Sequence, residues 1–157
     1  MKFLVTKDLA HSTLLAKLML GVCIALFFYL GLDSVLHAYI LGDNLSEITN
    51  TLYGNVDAFI EPILIDTLLL QVHMDLFMAL LSIMILSSIY IRLFREKKST
   101  KLLVHLVFIF GLFAPVFLLI AYFTSLWAVY VWLVNFFFWH LIGLGMLLAI
   151  IKKLLFK

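Results

Sequence analysis

Long runs of apolar residues, separated by short polar stretches, make up most of the chain. Four of these runs are long enough to cross a membrane, and we predict spans at 14–41, 59–91, 102–123 and 127–151. A helix needs about 20 predominantly apolar residues to cross the hydrocarbon core. Backbone groups in lipid must find hydrogen-bond partners within their own segment, so the runs predict helices. The short alternating segments of a membrane β-barrel are not found in the sequence.

The overall composition supports this prediction. The chain has 157 residues, of which 66% are hydrophobic and 13% are charged. Soluble domains have an apolar share of about 45–50%. We therefore predict an all-α integral membrane protein, in which residues 1–157 form a single membrane domain built as a four-transmembrane-helix bundle.

The basic residues predict the orientation of the bundle. All 11 lie near the predicted inner ends of the spans or in the loop at 92–101: Lys2, Lys7, Lys17, Arg92, Arg95, Lys97, Lys98, Lys101, Lys152, Lys153 and Lys157. The loop at 42–58 contains acidic residues and no basic ones. By the positive-inside rule, both termini and the loop at 92–101 are expected to be cytoplasmic, in a bacterial inner membrane.

Several ionisable or amide side chains interrupt the apolar runs at one depth. At ~1.5 Å of rise per residue from the nearest basic residue of the inner side, Asp33, His37, His73, Asp75 and Asn135 all lie roughly 24–30 Å above that side. Three different helices therefore contribute to one polar layer near the outer boundary of the membrane.

Helical spacing suggests which members of this layer meet. Asp33 and His37 are four residues apart and share one face of the first span, as Asp66 and His73 share one face of the second. Asp75 points away from His73 and is expected to face a different neighbour.

The chemistry of this layer predicts a metal site. A carboxylate inside a membrane usually pairs with Lys or Arg, yet every Lys and Arg here is expected on the opposite side. Two imidazoles and a carboxylate suit a divalent transition metal such as zinc, copper, iron or manganese. We predict Asp33, His37 and His73 as ligands, with Asp66 and Asp75 as further candidates. Residues expected to support these ligands are Glu61, Asn135 and His140.

Other functions remain open at this point. A haem b could be held between His37 and His73, with some of the 15 Phe residues lining its pocket, although no basic residue is near to pair with its propionates. Asp33, Asp75 and His140 could also form a cation or proton path. The layer could simply hold together a structural subunit of a membrane complex. The sequence leaves open whether the protein is an enzyme and whether it forms homo-oligomers, and nothing in it predicts nucleic-acid binding.

Overall fold

The described part of the chain is a bundle of helices. A computed structural model describes residues 13–95 and 99–156, and these contain helices and no strand. The helices are α1 (Thr13–Leu41), α2 (Leu45–Tyr53), α3 (Ile65–Leu93), α4 (Ser99–Phe123) and α5 (Leu126–Leu155). All except α2 are long and apolar enough to cross a membrane. The predicted all-α fold with four helices able to span a membrane is therefore confirmed for these residues.

The second predicted span and the helix that corresponds to it begin at different residues. The predicted span begins at residue 59, whereas α3 begins at Ile65. Before it, Asn55 and Ile60 exchange backbone hydrogen bonds of 2.8 and 2.9 Å across a tight turn. Pro62 follows and lies before the helix, not in its first turn. Residues 59–65 (FIEPILI) are mostly apolar, so hydropathy alone places the start of the span before this turn.

The outer connection contains a helix of its own, α2. Gly42 ends α1 with a φ of 116°, a value that suits glycine, and donates its N–H to the Ala38 carbonyl at 3.1 Å. The Asn44 side chain then accepts the Glu47 N–H at 2.9 Å and caps α2. These local signals explain why part of the predicted loop at 42–58 is helical.

Helix α2 packs across one end of the bundle, which we call the outer end after the orientation expected from the sequence, with the inner end opposite to it. Ile48 and Leu52 are buried, and the Tyr53 hydroxyl donates a hydrogen bond of 2.8 Å to the Ala121 carbonyl at the end of α4. Burial raises the pKa of the Tyr53 phenol, which keeps the hydroxyl a donor. The outer connection is thus attached to the helices beneath it.

The long helices pack around two apolar clusters. Helix α4 packs against α5 and α3, and α1 packs mainly against α5. The outer cluster includes Leu41, Leu68, Val72, Ala114, Leu118, Val129 and Trp132. The inner cluster includes Cys23, Leu30, Ala79, Ile83, Val107, Trp139, Met146, Leu147 and Ile150. On α1 and α3 there is a gap between the two clusters, at residues 31–39 and 73–78.

Lys153 attaches the inner end of α5 to the end of α3. Its ammonium group donates to the Leu93 carbonyl and lies 4.8 Å from the centre of the Phe94 ring. We expect Lys153→Met to reduce the free energy of unfolding by about 1 kcal/mol, since a hydrogen bond and a cation–π contact are lost. Thermal unfolding in detergent, followed by circular dichroism, measures this change. Lys152→Met, at the exposed neighbouring position, should have no comparable effect, and equal effects would contradict the assignment.

Candidate metal centre

Asp33, His37 and Asp75 lie in the gap between the two apolar clusters. In α1 the gap contains Asp33 and His37, which are one helical turn apart. The His37 Nδ1 donates to the Asp33 backbone carbonyl at 2.9 Å and lies 3.6 Å from the Asp33 Oδ1. The predicted shared face of these two residues is confirmed. The imidazole is 5% exposed, and its orientation is fixed by its own helix.

Helix α3 contributes Asp75. Its Oδ2 lies 3.0 Å from the His37 Nε2, and its Oδ1 accepts a hydrogen bond of 2.8 Å from the Gln71 side-chain amide. Gln71 is one turn closer to the outer end of α3 and is half-buried. Both oxygens of Asp75 therefore have defined partners.

Helix α5 contributes His140. Its Nε2 lies 3.0 Å from the Asp33 Oδ2, and its Nδ1 donates to the Phe136 carbonyl at 2.8 Å. Gln71, Asp75, His37, Asp33 and His140 thus form one connected set across three helices, which we call the His–Asp chain. The Phe136 ring lies between the two imidazoles, with ring centres 4.6 Å from His37 and 4.2 Å from His140.

The positions of hydrogens in this chain follow from its fixed acceptors. Backbone carbonyl oxygens only accept, so the Nδ1 of each imidazole carries a hydrogen. Each contact between an Nε2 and an Oδ2 then holds one further proton, on the nitrogen or on the oxygen. Each His–Asp pair is neutral in either arrangement. This allows two aspartates inside the bundle although no Lys or Arg of the described residues contacts them.

Three side chains of this set could hold a metal ion. One ligand atom from each of Asp33, His37 and Asp75 can be chosen so that all lie within 4.8 Å of one another. These residues line a cavity of about 20 Å³, which is room for about one water-sized occupant. Tyr29 and Gly111 also line this cavity. The carboxylates of Asp33 and Asp75 retain 11% and 14% exposure, so both are close to an opening.

The other residues predicted for the site lie elsewhere. His73, Asp66 and Glu61 are exposed and are not part of the three-residue group, which includes Asp75 instead. Asn135 is buried at the right level, but its amide donates at 2.7 Å to the Val131 carbonyl of its own helix. His140 contacts the group through the Asp33 carboxylate, and its supporting role stays a prediction.

Two residues of the site were not predicted from the sequence. Gln71 precedes Asp75 by four residues, a spacing that favours a side-chain hydrogen bond on a helix and could have indicated the contact. Tyr29 precedes Asp33 by four residues on the same face of α1, so helical spacing places it next to the carboxylates as well.

The haem alternative stays a prediction. The two histidines expected to hold a haem are not brought together: the His37 Nε2 lies 3.0 Å from the Asp75 Oδ2, and His73 is exposed. The cavity beside His37 has a volume of about 20 Å³.

Comparisons with protein-family models, with curated proteins and with solved structures found no match to this chain. Its function must therefore be argued from the geometry of the site.

Proposed function

We propose that the protein binds one divalent transition-metal ion through the Asp33 and Asp75 carboxylates and the His37 Nε2. The observation that carries this proposal is the convergence of three ligand atoms, from two helices, on one small cavity inside the membrane bundle. Three protein ligands leave coordination positions open for water or for a group to which the ion is passed. The function we infer is metal binding or handling.

The surroundings of the ligands support a binding role. The His37 Nδ1 donates to a backbone carbonyl, the kind of outer contact that orients the metal-binding nitrogen of a ligating histidine. Gln71 orients Asp75 in the same way. Hydrogen bonding within the protein therefore holds the proposed ligands without a metal ion, and binding of an ion would displace the proton held between the His37 Nε2 and the Asp75 Oδ2.

The proposed orientation places this site in the outer half of the membrane. Asp33 is eight residues from the end of α1 and Asp75 ten residues from the start of α3, which corresponds to depths of about 12 and 15 Å. Both termini would be cytoplasmic, as expected for a bacterial inner membrane, because described basic residues such as Lys17, Arg92 and Lys152 lie near the opposite helix ends. The remaining basic residues that support this orientation lie outside the described part of the chain: Lys2, Lys7, Lys97, Lys98 and Lys157.

The inner half of the bundle favours binding over conduction. Below the His–Asp chain, the inner cluster contains Cys23, Ile83, Val107 and Leu147 with no exposed surface. A dry apolar layer opposes the passage of an ion.

Binding of added metal to site variants tests the proposal. We expect detergent-purified wild-type protein to bind about one Mn²⁺ or Zn²⁺ in equilibrium dialysis. Asp75→Asn should weaken binding by about 10-fold to 100-fold or more, because it replaces a charged ligand. His73→Ala is the matched control and should bind as the wild type does.

Two results would contradict the proposal. If the wild type binds no metal, the His–Asp chain is a structural network. If His73→Ala loses the metal while Asp75→Asn keeps it, the ligands are those predicted from sequence spacing and not the group described above.

A further inference from the structure

The wall of the cavity formed by α4 contains an interrupted helical turn. Pro115 lies inside α4 and has no N–H, so it cannot donate the helical hydrogen bond to the carbonyl of Gly111. The proline ring also crowds that carbonyl and tilts it away from the helix axis. Gly111, Ala114 and Pro115 all line the cavity that Asp33, His37 and Asp75 line.

Gly111 faces the interior of the bundle with its backbone. A Cβ atom at this position would lie 2.7 Å from the Ile83 Cδ1 and 2.9 Å from the Trp139 Cε3, so only glycine fits there. Because glycine has no side chain, its contribution to the cavity wall comes from backbone atoms. Carbonyl groups of a helix point towards its carboxyl end, so the Gly111 carbonyl points towards Ala114 and Pro115, which also line the cavity.

Carbonyl groups released by proline in membrane helices are satisfied by neighbouring groups or by an occupant of a cavity. We propose that the Gly111 carbonyl oxygen is a fourth protein ligand and that, as a hard oxygen donor, it shifts the selectivity of the site towards Mn²⁺ and Fe²⁺ by raising their affinity more than that of Zn²⁺ or Cu²⁺. This inference rests on the metal-binding function proposed above.

The resulting set of ligands explains the selectivity. It consists of three oxygen donors and one imidazole nitrogen. Carboxylate and carbonyl oxygens suit manganese, whereas sites rich in imidazole or thiolate suit zinc and copper. Cys23, the one cysteine of the chain, lies in the inner cluster ten residues before Asp33 and thus about 15 Å along α1. A thiolate ligand is therefore outside the reach of this site.

The substitution Pro115→Ala tests the proposal, because it restores the N–H that bonds the Gly111 carbonyl within α4. We expect its affinity for Mn²⁺, measured by equilibrium dialysis, to fall about tenfold or more, with a smaller change for Zn²⁺. Val116→Ala is the matched control, since it changes the neighbouring side chain and keeps the proline. Circular dichroism establishes that both variants are folded.

A spectroscopic measurement separates ligation by Gly111 from an indirect effect on packing. Wild-type protein grown with glycine labelled with ¹³C at the carbonyl should show ¹³C hyperfine coupling to bound Mn²⁺ in electron–nuclear double resonance, and Pro115→Ala should lose it. A wild type that binds Mn²⁺ without this coupling overturns the inference and leaves the metal site intact. A wild type that binds no metal overturns the proposed function itself.

Discussion

Asp33→Leu is expected to reduce the free energy of unfolding of the bundle by about 3–5 kcal/mol, the typical result when one partner of a buried pair is removed. Asp33 connects α1 to α5 through its contact with the Nε2 of His140, and it also lies beside His37. Without this carboxylate, the Nε2 of His140 loses its partner. Reversible unfolding in mixed micelles, followed by tryptophan fluorescence, measures the loss.

Two further variants establish that this loss comes from the His–Asp chain. His73→Leu removes an ionisable side chain of α3 close in sequence to Asp75. This residue is exposed, so the free energy of unfolding should change by no more than about 0.5 kcal/mol. The double variant Asp33→Leu with His140→Leu should be less unstable than the sum of the single variants, by about 0.5–3 kcal/mol. Additive effects would contradict the direct contact between Asp33 and His140.

Gly111→Ala is expected to destabilise the bundle by about 1–3 kcal/mol, although alanine favours helices over glycine. The added methyl group would lie 2.7 Å from Ile83 and 2.9 Å from the indole of Trp139, and both side chains belong to the inner cluster. Thermal unfolding in detergent provides the comparison with the wild type.

Gly145→Ala is the matched control for this substitution. Gly145 lies in α5, and nothing lies within 4 Å of an added Cβ there. Alanine at this position should leave stability unchanged or raise it by up to about 1 kcal/mol. Equal destabilisation by the two substitutions would show that close packing around Gly111 is not the cause of the lower stability.

The four long apolar helices, and the shared level of Asp33, His37 and Asp75, could be predicted from the sequence for simple physical reasons. Long apolar runs define membrane helices, and a fixed rise per residue converts sequence position into depth. The same regularity predicted the contact of Asp33 with His37, because residues four apart share a helix face.

The face that each helix directs inward could not be predicted in the same way. In a soluble helix, polar residues mark the surface, but residues that face lipid are as apolar as those in the core. His73 and Asp75 are two residues apart and point in nearly opposite directions. Either could have faced His37, and the structure places Asp75 there and leaves His73 exposed.

The contact between Asp33 and His140 required information on which helices are neighbours. They are 107 residues apart in the chain, and they meet because α1 packs mainly against α5. The order of helices in a bundle depends on packing between helices. A periodic pattern within one helix does not indicate which other helices are its neighbours.

The metal-edge X-ray absorption spectrum of protein loaded with one equivalent of Mn²⁺ tests the central claim most directly. The account predicts a first shell of oxygen and nitrogen at about 2.0–2.2 Å, with the scattering of a single imidazole and no sulfur. The single imidazole is His37, and Asp75→Asn should change the spectrum. A spectrum identical to that of the hydrated ion, or one with two imidazoles or a thiolate, would contradict the assignment of Asp33, His37 and Asp75 as the metal ligands.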